Sequence, residues 1–161
     1  MRTDEIATSL HTLFAELVNG APATGAYVLN RGDAGLLASL DRLSAYDASA
    51  PRTGGATIAA HVEHLSYGLS LMNRWAAGED PFTEARWAPS WKTTTVTDDQ
   101  WTELRAGLRQ EAERWLDNLA EPRETDEVGL NGMIGSVVHL AYHLGAMRQI
   151  DRALRGPEAN D

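Results

Sequence analysis

The chain of 161 residues contains no cysteine. That single absence excludes disulfides, zinc fingers, iron–sulfur clusters and thiol nucleophiles together. Any metal must therefore be held by His, Asp, Glu or water. Positive charge is also scarce: 14 Lys and Arg stand against 23 Asp and Glu, for a formal net charge of -9. A polyanion or an anionic membrane surface would be repelled by most of such a molecule, so neither nucleic acid nor membrane is an expected partner. No stretch sustains the period-two alternation of a strand, and no internal repeat or low-complexity run appears. The opening residues, with Arg2, Asp4 and Glu5, lack the apolar core of a signal peptide, and the expected location is the cytoplasm.

What is present is helical pattern. Hydrophobic residues make up 43% of the chain, enough for one core, and the length fits a single domain over residues 1–161. A first helix is expected over about residues 3–18, with Ile6, Leu10, Leu13 and Leu17 on one face, ended by Asn19, Gly20 and Pro22. Residues 21–32 read as loop, and Asp33 caps a short helix carrying Leu36, Leu37, Leu40 and Leu43. Residues 45–55 read as loop. Thr57 then caps a long helix whose Ile58, Val62, Leu65, Leu69 and Met72 form a seam, with Gly78 closing it.

Residues 79–96 form a long connection containing Phe82, Trp87 and Trp91; a loop of this length in a small domain is often functional. Thr97 and Gln100 make a capping-box pattern. They open a helix with Trp101, Leu104, Leu108, Ala112, Trp115 and Leu119 on one side and charge on the other. After a loop at 122–126, Asn131 is the expected cap of a last helix reaching Leu154 or Arg155, stopped by Gly156 and Pro157. Residues 128–147 hold no Asp, Glu, Lys or Arg, a length that could cross a bilayer. Imidazoles facing lipid are costly, and His139 and His143 lie here with Asn131, Ser136 and four glycines. The reading is a central helix buried on several sides.

Four of the five histidines fall into two helical pairs. His139 and His143 are four apart and share a helix face, and His61 and His64 are three apart on another helix. A divalent ion needs neutral ring nitrogens converging at about 2.0–2.1 Å. Two ligands from one helix and one from a facing helix meet that need and leave positions open for water or substrate. The plain alternative is a set of core histidines satisfied by hydrogen bonds. The helical wheel leaves the choice between His61 and His64 open.

The runs Thr57-Ile58-Ala59-Ala60-His61-Val62-Glu63-His64-Leu65 and Val138-His139-Leu140-Ala141-Tyr142-His143-Leu144-Gly145 resemble the DinB/YfiT-like superfamily. The resemblance extends over nearly the whole chain in helix order. It implies an all-α four-helix bundle with one further short helix and the long Trp-containing loop. It implies a divalent metal, zinc or nickel, on His64, His139 and His143, with His61 as an extra imidazole. It also implies a homodimer and a small-molecule substrate. Members with assigned activities look like metal-dependent S-transferases that join a low-molecular-weight thiol to a small electrophile; others resemble hydrolases or isomerases. A non-catalytic metal- or ligand-binding bundle acting as a dimer is the alternative. The chain departs from the family at Ala146, where Gln is common, and Gln149 is three residues too far on to replace it.

Several other side chains are candidates around such a centre. Trp91, with Trp87, can cover it, against the plainer role of extending the core. Tyr67 and Tyr142 can reach it, against core packing. Arg148 can bind an anionic group, against a surface ion pair. Glu63 can orient a ligand, against a solvated face. His11 is expected on the surface of the first helix.

Overall fold

A computed structural model describes residues 4–51 and 55–159. The expected helix start at Thr3 and the loop residue Gly54 lie outside them. Among the described residues six α-helices form, α1 (Asp4–Asn19), α2 (Gly35–Leu40), α3 (Ala45–Ser49), α4 (Ile58–Ala76), α5 (Asp98–Ala120) and α6 (Glu127–Ile150). Single-turn 3-10 segments lie at Pro81–Glu84, Ala88–Trp91 and Arg152–Leu154. The described residues form no strand, so the fold is all-α.

Local chemistry explains most of the boundaries. Thr57 accepts from the Ala60 N–H and starts α4; Thr97 and Gln100 exchange both bonds of a capping box and start α5. Asp33 acts from one residue outside the expected place, accepting the Gly35 N–H. Two boundaries differ from expectation. Residues 45–49 are helical because Ser44 and Asp47 form a second capping box. The last helix starts at Glu127, capped by Asp126 on the Gly129 N–H, and Asn131 lies exposed inside it. It ends before Gly156, at Asp151, whose side chain caps the 3-10 turn that follows.

The four long helices touch in the order α1–α5, α5–α4, α4–α6 and α6–α1. Phe14, Leu65, Trp115, Leu119, Leu140 and Met147 fill the space between them and are fully buried. On α1 the buried stripe runs through Ala7, Leu10, Phe14 and Leu17, with Ile6 and Leu13 half-buried at its edge. Gly20 and Gly35, both at positive φ, let the end of α1 and the start of α2 meet backbone to backbone. A Cβ on Gly20 would strike the Asp33 carbonyl, and one on Gly35 the Gly20 nitrogen.

The expectation that α6 is buried on several sides is corrected. Its inner face carries Met133, Leu140 and Met147, but Val128, Val138 and Tyr142 are 78%, 61% and 70% exposed. An apolar pattern all round a helix shows that no side is polar; it does not fix how many sides are covered. No described helix is long and apolar enough to cross a membrane.

Candidate metal centre

α4 and α6 each bring two imidazoles to one place. The seam of α4 buries Leu65 and Leu69, which turns His61 and His64 toward α6; both histidines are buried. On α6, His143 is buried and His139 half-buried. His64 Nε2 lies 3.2 Å from His139 Nε2. His143 Nε2 lies 2.9 Å from the same His139 Nε2. One nitrogen from each of His64, His139 and His143 thus falls within 4.8 Å of the others. Bonds of 2.0–2.1 Å in a tetrahedral arrangement place ligand nitrogens roughly 3.3 Å apart, so the observed spacing suits a single divalent ion.

Hydrogen-bond arithmetic supports the same conclusion. Ser90 Oγ lies 2.7 Å from the Trp87 carbonyl, to which it can only donate. With its one proton used there, it must accept from His64 Nδ1 at 2.9 Å. A neutral His64 then carries its proton on Nδ1 and shows a bare lone pair at Nε2. If His139 Nε2 is protonated, its one hydrogen faces either two acceptors or, should His143 carry its proton on Nε2, one acceptor and one opposing hydrogen; if it is not, its lone pair faces that of His64. Neutral rings alone leave this cluster short of a proton, whereas one cation satisfies all three nitrogens.

Charge does not relieve the shortage. Burial, and then the neighbouring His139 and His61, lower the His64 pKa to about 4. Burial, followed by His139, His61 and His64, lowers that of His143 to about 3. His61 and His139 are also pushed down by burial. The rings are therefore neutral near pH 7, the form that binds metal.

His61 stands behind the triad. Its Nδ1 is 2.8 Å from His143 Nδ1. With His143 Nε2 given to an ion, its proton would lie on Nδ1 and be donated to His61 Nδ1, which would fix the ring's orientation. Of the two α4 histidines left open by the sequence, His64 joins the cluster of potential ligands and His61 supports a neighbour.

The 79–96 connection covers one side. Trp91 stacks on His64 with centroids 4.2 Å apart and planes 25° apart, and meets His61 edge-on at 5.2 Å. Trp87 lies 5.5 Å from the His64 ring. These indoles line the imidazoles rather than extend the core. Tyr67 and Glu63 hold this connection instead of reaching the centre: Tyr67 Oη accepts the Arg86 N–H at 2.8 Å, and Glu63 accepts the Thr93 N–H at 3.3 Å.

Two other candidates are corrected. Tyr142 is mostly exposed rather than packed in the core, with only its ring near His143, 5.1 Å between centroids. Arg148 is spent on buried Asp33 at 2.8 Å and does not face the imidazoles. His11 is half-buried on α1. Ser90 was not singled out by the sequence; the one signal it offered was its place between Trp87 and Trp91. Comparison of the chain with known protein families, with characterised proteins and with solved structures finds no match.

Proposed function

We propose that this protein is a divalent-metal-binding four-helix bundle of the DinB/YfiT kind, and that it uses the metal to transfer a low-molecular-weight thiol to a small electrophile. The observation that carries the metal is the convergence of three imidazole nitrogens at 2.9 and 3.2 Å. His64, His139 and His143 would hold the ion, and an all-imidazole set suits zinc or nickel. A bound divalent ion supplies Lewis acidity, lowering the pKa of a thiol or water that shares it. The protein's own part is to keep the three rings neutral and aimed. Ser90 and His61 do the aiming, and the Trp91 face excludes water from His64. The thiol-transfer step rests on the family resemblance of the two histidine motifs.

The second reading, a non-catalytic metal-binding bundle acting as a dimer, draws on the exposed apolar residues Val128, Val138 and Tyr142 of α6. A second copy covering them would form a homodimer under either reading.

Metal analysis of the purified protein tests the centre. One zinc or nickel equivalent per chain is expected, lost in both His139→Ala and His64→Ala. Unchanged stoichiometry in those variants overturns the metal. Loss of free thiol in the presence of an alkylating electrophile, faster with wild type than with His139→Ala, separates the enzyme from the non-catalytic bundle.

A further inference from the structure

Beside the imidazoles an apolar slot of about 190 Å³ runs between α4 and α6. Leu65, Leu69 and Met72 line it from α4, and Phe82 and Trp87 line it from the connection. Three glycines inside helices complete it: Gly68 on α4, and Gly132 and Gly135 on α6. Glycine within a helix is costly relative to alanine, so three along one slot call for a reason.

Packing does not supply that reason. A Cβ on Gly68 would lie 3.5 Å from Trp87 Cζ3 and 3.7 Å from His139 Cε1, ordinary contact distances. One on Gly132 would lie 3.6 Å from Met72 Cε, and one on Gly135 would meet nothing within 4 Å. Alanine fits at all three places. What the glycines provide is the open space itself.

The same distances give the slot a direction. His139 stands opposite Gly68 at one end, and Met72 opposite Gly132 at the other. The remaining polar side chain of the lining, Ser136, is already engaged: its hydroxyl accepts from Trp115 Nε1–H at 2.9 Å and donates to the Met133 carbonyl at 2.7 Å. The slot therefore offers a ligand apolar walls along its length and one imidazole at its end. Cε1 of His139 is bonded to Nε2, the atom shared by the three-nitrogen cluster. An apolar cavity of about 150 Å³ is large enough to take up benzene.

We propose that the slot binds an apolar ring of the substrate, about the size of benzene, with the ring's substituent directed at the His64–His139–His143 centre. The ring site stands on the cavity; the direction of the substituent rests on the metal reading above.

Two measurements separate these parts. In the first, toluene is titrated into the metal-free protein and the four methionine methyl resonances are followed. The Met72 methyl should shift saturably, and both Gly68→Ala and Gly135→Leu should weaken that binding at least about fivefold, since each puts a side chain into space the ring would fill. No shift at Met72 in the wild type, or equal binding by both variants, overturns the ring site whatever the metal content.

In the second, the cobalt(II)-loaded protein is titrated with benzyl mercaptan and with 2-mercaptoethanol and read by its visible absorption. Benzyl mercaptan should bind about tenfold tighter or more. Gly68→Ala and Gly135→Leu should erase the preference while keeping cobalt stoichiometry and 2-mercaptoethanol affinity. Equal affinities in the wild type overturn the directed substituent. A protein that shifts at Met72 but takes up no cobalt sinks the metal reading and leaves the ring site supported.

Discussion

Two pairs of tryptophans divide this molecule into scaffold and site. Trp101 and Trp115, on α5, are 2% and 0% exposed. Each indole N–H is used inside the protein, on the Leu43 carbonyl and on Ser136 Oγ, both at 2.9 Å. Trp87 and Trp91, on the 79–96 connection, are 41% exposed and half-buried, and their rings lie against His64. One residue type thus serves two ends. On a helix with its polar atom satisfied, an indole contributes area to the core. On a connection tied down by a few bonds, it covers imidazoles whose lone pairs face inward.

The comparison can be broken or sharpened by substitution. The largest effect is expected at Trp115→Ala, which opens a cavity in the core and removes the donor to Ser136 Oγ. A loss of about 3–5 kcal/mol in urea unfolding is expected, with metal stoichiometry unchanged in the protein that remains folded. Ser90→Ala should do the reverse, lowering metal affinity by about 10–100-fold in chelator competition while unfolding near the wild-type midpoint. An affinity within about twofold of wild type would remove Ser90 from the centre.

Acid gives the next effect. His64 and His143 titrate at about 4 and about 3 in the folded chain, but near 6.5 once unfolded. Between those values the unfolded state holds more protons, so the metal-free protein should lose stability as pH falls from 6.5 toward 4. Urea midpoints at pH 7, 6 and 5 measure the slope, and a His64→Asn/His143→Asn double variant should flatten it. The smallest effect belongs to Trp91→Ala: a stability change under about 1 kcal/mol, against the several expected for Trp115.

The sequence carried these two regions unequally. Thr57, Thr97 and Gln100 gave helix starts that the structure keeps, because a cap is chemistry within four residues. Ser44 and Asp47 obey the same chemistry but stand just before a stretch rich in Gly and Pro, and the helix they start is only five residues long. Asn131 misled because Asp126 already caps the helix across Gly129. Helical spacing put His139 and His143 on one face and two more imidazoles on a facing helix, but it left His61 and His64 open; His64 came from the resemblance of the two motifs. The role of Ser90 did not, since it contacts His64 across 26 residues and no periodicity links a loop to a helix. The exposed side of α6 was hidden for a different reason: hydropathy records what a surface is made of, and exposure depends on what lies opposite.

Ser90 touches His64, and it sits one residue from Trp91 on the segment that roofs the imidazoles. An ion on His64 and the seating of that segment on α4 would thus share one hydroxyl. By thermodynamic reciprocity, whatever tightens the segment on α4 would raise the hold on such an ion, and the ion would raise the hold on the segment by the same factor. Protease cleavage within 79–96, slowed by added metal, would report that linkage without any substrate being known.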